Sequence, residues 1–139
     1  MVDLPPCSMQ IAEYYQVPIS IIVAVARQEG GGVGVVSPPN RNGTRDLGIM
    51  QINEIWWDDR NPINLAERGI TKEGVLNNAC LNIGMGAWIL RQNYVRFDGD
   101  WVKAVAAYNA GPNNWEAGMD YAKGVSQHLM EYQYQLTTR

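Results

Sequence analysis

Residues 18–29 read Pro-Ile-Ser-Ile-Ile-Val-Ala-Val-Ala-Arg-Gln-Glu, an almost unbroken apolar run that ends on an acid and meets Gly30, Gly31 and Gly32 at once. A helix that is apolar on nearly every side belongs inside a protein, so other elements must pack around it. Proline suits its first position, where a missing N–H is no loss. On that helix Ile22, Val25 and Ala26 share a face with Glu29. The Glu29 carboxyl therefore sits at the inner end of an apolar stripe. Burial disfavours the charged form of a carboxyl and raises its pKa, which is how an ordinary glutamate becomes a general acid. The other fate open to Glu29 is a helix-end position with its tip in water beside the glycines.

Further helical patterns flank this run. Residues 8–16 read as a short helix. Periodicity returns near Thr71, where Leu76, Cys80, Ile83, Ala87, Leu90, Tyr94 and Phe97 step by threes and fours as one long core-facing stripe. Trp101, Val105 and Tyr108 mark another helix, which Gly111-Pro112 should stop. A last helix carries Tyr121, Val125, Leu129, Tyr132 and Leu136 at the same spacing. From Gly30 to about Asn64 the pattern breaks at Pro38-Pro39, Asn42-Gly43 and Asn61-Pro62. Asn42-Gly43 is a turn signal that suits a small hairpin. So long an irregular stretch in a compact domain is usually functional. With no repeat or linker in 139 residues, the expectation is one domain, 1–139. It should be mainly α, with helices packed around 18–29 and an irregular or small β-hairpin lobe at about 33–64.

Charge and composition exclude several classes. The net charge is −3 and no Lys or Arg run occurs, so neither nucleic-acid binding through a basic footprint nor attraction to anionic membranes is expected. No apolar stretch is long enough to span a bilayer. Met1-Val-Asp-Leu-Pro-Pro lacks an apolar core segment, so no signal peptide is expected in this chain; that suits a cytosolic protein or a mature chain without its export signal. Cys7 and Cys80 match no redox or zinc spacing. They are either two separate buried thiols or one disulfide, which would contribute roughly 4 kcal/mol by closing a long loop and would place the protein outside the cytosol. No cluster of His, Cys or carboxylates has ligand spacing, so neither metal nor cofactor is expected, and the lone His128 reads as packing. Five Trp and seven Tyr stand against one Phe. Such polar-edged aromatics suit core-to-surface positions and also sugar-binding clefts.

The irregular stretch contains Asn40-Arg-Asn-Gly-Thr-Arg-Asp-Leu-Gly-Ile-Met-Gln-Ile-Asn53 and then Trp56-Trp57. It reads as a turn followed by a short strand-like piece with Gln51 and Asn53 embedded in it. Amide side chains read hydroxyl and N-acetyl groups well, since each offers donors and an acceptor. Asp46 supplies a second carboxyl in a polar setting. Two carboxyls in contrasting environments are what glycoside cleavage needs, one protonated and one ionised. Asp46 also suits a plain turn aspartate bonded to its own backbone.

Asn42-Gly-Thr-Arg-Asp-Leu-Gly-Ile-Met-Gln-Ile-Asn53 with Trp56-Trp57 resembles the signature of the lysozyme-like superfamily. The Gly48-Ile-Met-Gln-Ile52 core resembles that of the family-1 lytic transglycosylases, and Ala107-Tyr-Asn-Ala-Gly111 resembles their second signature. Tyr121, in Tyr121-Ala-Lys-Gly-Val125, stands where that family has a late active-site tyrosine, and Glu29 where it keeps its catalytic acid. The blocks follow in order over about residues 7–130. The small size, the two cysteines and the Asn-Gly-Thr-Arg-Asp lead-in look closest to the specialised transglycosylases of secretion, conjugation or pilus systems. One departure stands out: the family usually has Glu-Ser, and here Gly30 follows Glu29.

The resemblance implies a lysozyme-like fold, α+β by the convention used for lysozyme. It implies peptidoglycan glycan strands as substrate, cut between N-acetylmuramic acid and N-acetylglucosamine to leave a 1,6-anhydro end. Glu29 would act as acid and then base, with Asp46 stabilising the positively charged transition state. Tyr108 and Tyr121 would orient Glu29 or the sugar. Met50, Gln51, Asn53 and Asn109 would line the cleft, and Trp56, Trp57 and Trp115 are candidates for stacking on sugars. Cys7 and Cys80 would be paired in a periplasmic or extracytoplasmic monomer working beside a type III or type IV secretion, conjugation or pilus apparatus. A water-consuming muramidase and a non-catalytic glycan-binding module on the same fold are the alternatives; Asp46 favours the first and Gly30 the second.

Overall fold

The computed structural model describes residues 4–138. The described residues form six α-helices: α1 (Ser8–Tyr15), α2 (Ile19–Glu29), α3 (Lys72–Asn77), α4 (Ala79–Arg96), α5 (Trp101–Ala110) and α6 (Met119–Thr137). Between α2 and α3 lie two short strands, β1 (Asp46–Leu47) and β2 (Ile52–Asn53), and two single 3-10 turns. This is the mainly α, lysozyme-like arrangement expected from the sequence.

The apolar run forms the centre. Ile21 to Ala26 are all buried, and Ile22, Ala24, Val25 and Ala26 have no exposed surface. Helix α2 starts at Ile19, one residue later than the sequence suggests, and the Pro18 carbonyl accepts the first N–H bonds of the helix. Helix α6 packs along α2, α5 packs on α6 and α4, and α1 packs on α4. The α6 stripe runs from Tyr121 through buried Val125 and fades at Leu136, which is 50% exposed. Among the described residues no single helix is long and apolar enough to cross a membrane.

The stripe after Thr71 is broken rather than continuous. Asn78 takes an extended conformation, and its side chain accepts the Leu81 N–H at 3.0 Å, ending α3 and starting α4. Asparagine competes with helix hydrogen bonding in this way. The break rotates Cys80 out of the stripe to the surface. There it is bonded to Cys7, closing a loop across 73 residues and tying the start of α1 to the first turn of α4. That decides between paired and separate thiols.

Two turns build the small lobe. Asn42-Gly43 closes the arm from Val36 to Leu47, held by Asn40 N–H to the Thr44 carbonyl at 2.8 Å and Ser37 N–H to the Asp46 carbonyl at 2.9 Å. The antiparallel strand pair, Asp46 opposite Asn53 and Leu47 opposite Ile52, is closed by a different turn, Gly48 to Gln51. Gly48 has φ +78° there, a left-handed conformation that glycine takes without strain.

Candidate active site

Glu29 is the last residue of α2, at the negative end of the helix dipole, where the charged form of a carboxyl is disfavoured. Helix α6 lies against it, and Tyr121 donates its hydroxyl to Glu29 Oε2 at 2.5 Å. Burial pushes the Glu29 pKa up from 4.5 to about 7; the Tyr121 bond opposes that rise and the charge of Asp46 adds to it. Of the two fates open to this residue in the sequence, the structure gives a half-buried carboxyl held under Tyr121 rather than a tip free in water. Tyr121 is itself raised, by burial first and the Glu29 charge next, so it keeps its proton and remains a donor.

The Tyr121 bond favours the ionised carboxylate, so its loss acts in a known direction. Tyr121→Phe should move the Glu29 midpoint above about 7, read by carboxyl carbon NMR titration. A midpoint that falls instead would mean that the Tyr121 hydroxyl does not stabilise the ionised carboxylate.

Tyr108 reaches the same pocket from α5. Its hydroxyl donates to the Met50 carbonyl at 2.6 Å. Burial raises its pKa well above the usual tyrosine range, and the charges of Glu29 and then Asp46 add to this. Four segments therefore meet at one place: the end of α2, β1, α5 and α6.

Asp46 does not bond its own backbone with its side chain. Its Oδ1 accepts from Asn53 Nδ2 at 2.8 Å across the hairpin, and its Oδ2 accepts from Asn40 Nδ2 at 3.3 Å. Its N–H donates to Ser37 Oγ at 2.8 Å. This carboxylate is thus held by amides in a polar, partly exposed setting, unlike the burial of Glu29. Asn40, which fixes it, gives no sequence signal beyond its place in a turn.

The remaining expected site residues divide. Asn53 uses both ends of its amide: Nδ2 donates to Asp46 and to Thr44 Oγ1 at 2.9 Å, and Oδ1 accepts the Ile55 N–H at 2.8 Å. It holds the lobe together rather than offering free groups. Gln51 donates Nε2 to the Gly48 carbonyl at 2.9 Å and to Val35 at 3.4 Å, leaving Oε1 unengaged among the described residues. Asn109 is exposed at the end of α5 with its amide free of partners among the described residues. Met50 is a correction: its side chain has no exposed surface and packs against Gly86, so it is core and not cleft wall. What it brings to the pocket is its carbonyl.

The tryptophan candidates are half-buried. Trp56 meets Trp88 edge-on at 5.4 Å, and Trp57 donates its N–H to the Ile70 carbonyl at 2.9 Å. Trp115 lies between Phe97 and the ammonium of Lys103, 4.8 Å from its ring. All three pack in part against the core and each keeps part of its surface exposed. Among the described residues no three His, Cys, Asp or Glu side chains lie together as metal ligands would.

One residue of consequence escapes sequence reasoning. Asn82, on the buried face of α4, bonds the backbone of the Leu47 to Met50 turn. Its only signal is a lone amide beside Ile83 in an apolar stripe.

Residues 6–130 match the family described as "Transglycosylase SLT domain". Among curated proteins, Protein IpgF of Shigella sonnei is 32% identical over 126 residues, covering 89% of this chain and 79% of that protein. Invasion protein IagB of Salmonella typhi is 31% identical over 121 residues, covering 86% and 72%. A peptidoglycan-binding-like protein of Escherichia coli is 37% identical over 84 residues, covering 58% and 47%. A half-buried acid under a tyrosine, facing a hairpin carboxylate, thus stands in a chain whose match spans nearly its whole length, and the chain belongs to the transglycosylase SLT domain family.

Proposed function

We propose that this chain is a lytic transglycosylase, cutting the β-1,4 bond between N-acetylmuramic acid and N-acetylglucosamine in peptidoglycan. The observation that carries this reading is Glu29, a carboxyl near pKa 7 beneath the Tyr121 hydroxyl. A group with a pKa near working pH both gives and takes a proton readily. Protonated Glu29 donates to the glycosidic oxygen as that bond breaks, and positive charge develops at the muramyl anomeric carbon. The Asp46 carboxylate stabilises that charge. Glu29, now ionised, takes the proton of the muramyl 6-hydroxyl, whose oxygen closes on the anomeric carbon. The product is a 1,6-anhydro ring, and no water is consumed. Tyr121 holds Glu29 in place, and Tyr108 shapes the pocket through the Met50 carbonyl. Gln51 Oε1 and the free amide of Asn109 are the groups left to meet the sugar's N-acetyl and hydroxyl donors.

Digestion of purified sacculi followed by mass spectrometry tests this. Anhydro-muramyl ends are expected. Reducing ends, heavier by one water, would make the protein a muramidase, with Asp46 supporting attack by water. Binding to sacculi with no soluble release would make it a glycan-binding module.

We further infer that the chain works outside the cytoplasm as a single catalytic domain, monomeric and without a cofactor, and opens the wall for a secretion, conjugation or pilus apparatus. The disulfide supports an oxidising compartment. Similarity to a protein named for invasion supports the link to an envelope machine.

A further inference from the structure

Asn82 is 1% exposed, and its carboxamide makes three hydrogen bonds, all to backbone outside its own helix. Oδ1 accepts the Met50 N–H at 2.8 Å. Nδ2 donates to the Leu47 carbonyl at 2.8 Å and to the Val75 carbonyl at 3.0 Å. One side chain thus holds both sides of the Gly48 turn and ties it to α3 and α4. The fit around it is close. A side chain at Gly48 would run into the Asn82 amide, and one at Gly86, a helical turn along α4, would run into the Met50 thioether. Both groups that Asn82 grips lead to the pocket. Leu47 follows Asp46 in β1, and the Met50 carbonyl is the acceptor on which the Tyr108 hydroxyl rests at 2.6 Å.

We propose that Asn82 is a positioning residue of the glycan-cleaving site, fixing the turn that presents Asp46 and anchors Tyr108 so that both face Glu29. It touches no substrate and acts through the backbone of the turn. The activity arm of its test rests on the cleavage reading; the titration arm does not. The groups that face Glu29 are Tyr121 from α6, Tyr108 from α5 and Asp46 from β1. Freeing the turn withdraws Asp46 and admits water to the carboxyl. Both changes favour the charged form, so the Glu29 midpoint falls.

The test uses the full chain with its disulfide intact, as Asn82→Ala and the milder Asn82→Ser. Circular dichroism checks folding, carboxyl carbon NMR reads the Glu29 midpoint, and muropeptide release from purified sacculi is followed across pH. Expected are folded variants, release slower by about tenfold to a hundredfold, as small misplacements of reacting groups produce, and a Glu29 midpoint and alkaline limb both moved to lower pH. A folded variant with an unmoved midpoint overturns the proposal, whatever its rate. Failure of both variants to fold also overturns it, making Asn82 a residue of stability alone. An inactive parent chain whose midpoint still falls in the variants sinks the cleavage reading and leaves the positioning role standing.

Discussion

Glu29→Gln should abolish release of soluble muropeptides from purified sacculi while leaving the helical circular dichroism unchanged. Glutamine has the size of glutamate, and its carbonyl oxygen still accepts the Tyr121 hydroxyl, so the pocket stays filled. It cannot act as a carboxylic acid or accept a proton at working pH, and loss of a general acid–base group slows such reactions by roughly a hundredfold to ten-thousandfold. The same variant should be more stable than the parent above pH 7. Glu29 titrates at about 7 in the folded chain against 4.5 for a free glutamate. Below pH 4.5 both states hold the proton and Glu29 favours neither. Between 4.5 and about 7 the unfolded chain gives the proton up while the folded chain keeps it, so stability falls as pH rises. Above about 7 the full cost of a buried charge is present, approaching about 3 kcal/mol at about 1.4 kcal/mol per tenfold in proton affinity. Glutamine is free of it. Thermal unfolding at pH 4 should therefore barely separate the two proteins, and at pH 8 the variant should melt higher. Undiminished muropeptide release would remove Glu29 from the chemistry, and a lower melting point at pH 8 would contradict its burial as an acid.

Cys80→Ser, or reduction of the bond to Cys7, should lower stability by about 4 kcal/mol, the chain-entropy value for a loop of 73 residues. For a chain of 139 residues that corresponds to a melting point lower by roughly 10 °C or more. The loop carries Glu29, Asp46 and the whole lobe, whereas Tyr108 and Tyr121 lie beyond it. Loosening should therefore separate the two halves of the pocket before it melts the helices, with activity lost at a lower temperature than circular dichroism. A melting point within a degree or two of the parent would show that the packing of α1 on α4 suffices without the bond.

The helical frame was legible because its signals are local. An apolar run opened by Pro18, a stop at Gly111 and a stripe through Val125 each depend on residues within a few turns. The hairpin carboxylate and the two tyrosines could be named from spacing and resemblance. Their meeting with Glu29 depends on long-range packing that no local pattern encodes. The break at Asn78 was hidden because its neighbours keep helical spacing on both sides. Met50 misleads for a similar reason: it lies in a chemically suggestive segment, yet alternation on a short strand-like piece does not say which side chain turns inward. Asn53 and Gln51 are legible as hydrogen-bonding amides, but whether an amide serves a substrate or the fold is decided by what stands opposite it. Asn82 is the extreme case, a polar residue whose partners are backbone atoms up to 35 residues away.

Gly30 takes φ +65°, ψ 21° with its N–H on the Ala26 carbonyl at 3.1 Å, and no atom lies within 4 Å of where its side chain would begin. Space is therefore no obstacle to a serine at this position; handedness is. An L-residue held in that left-handed conformation costs roughly 1–2 kcal/mol. The cheapest relief is for the backbone to continue α2 rightward, which would carry the last turn, and Glu29 with it, into a new direction. Ending the helix beneath the acid and placing a hydroxyl beside it are competing demands on a single position, and this chain has settled the contest in favour of the stop.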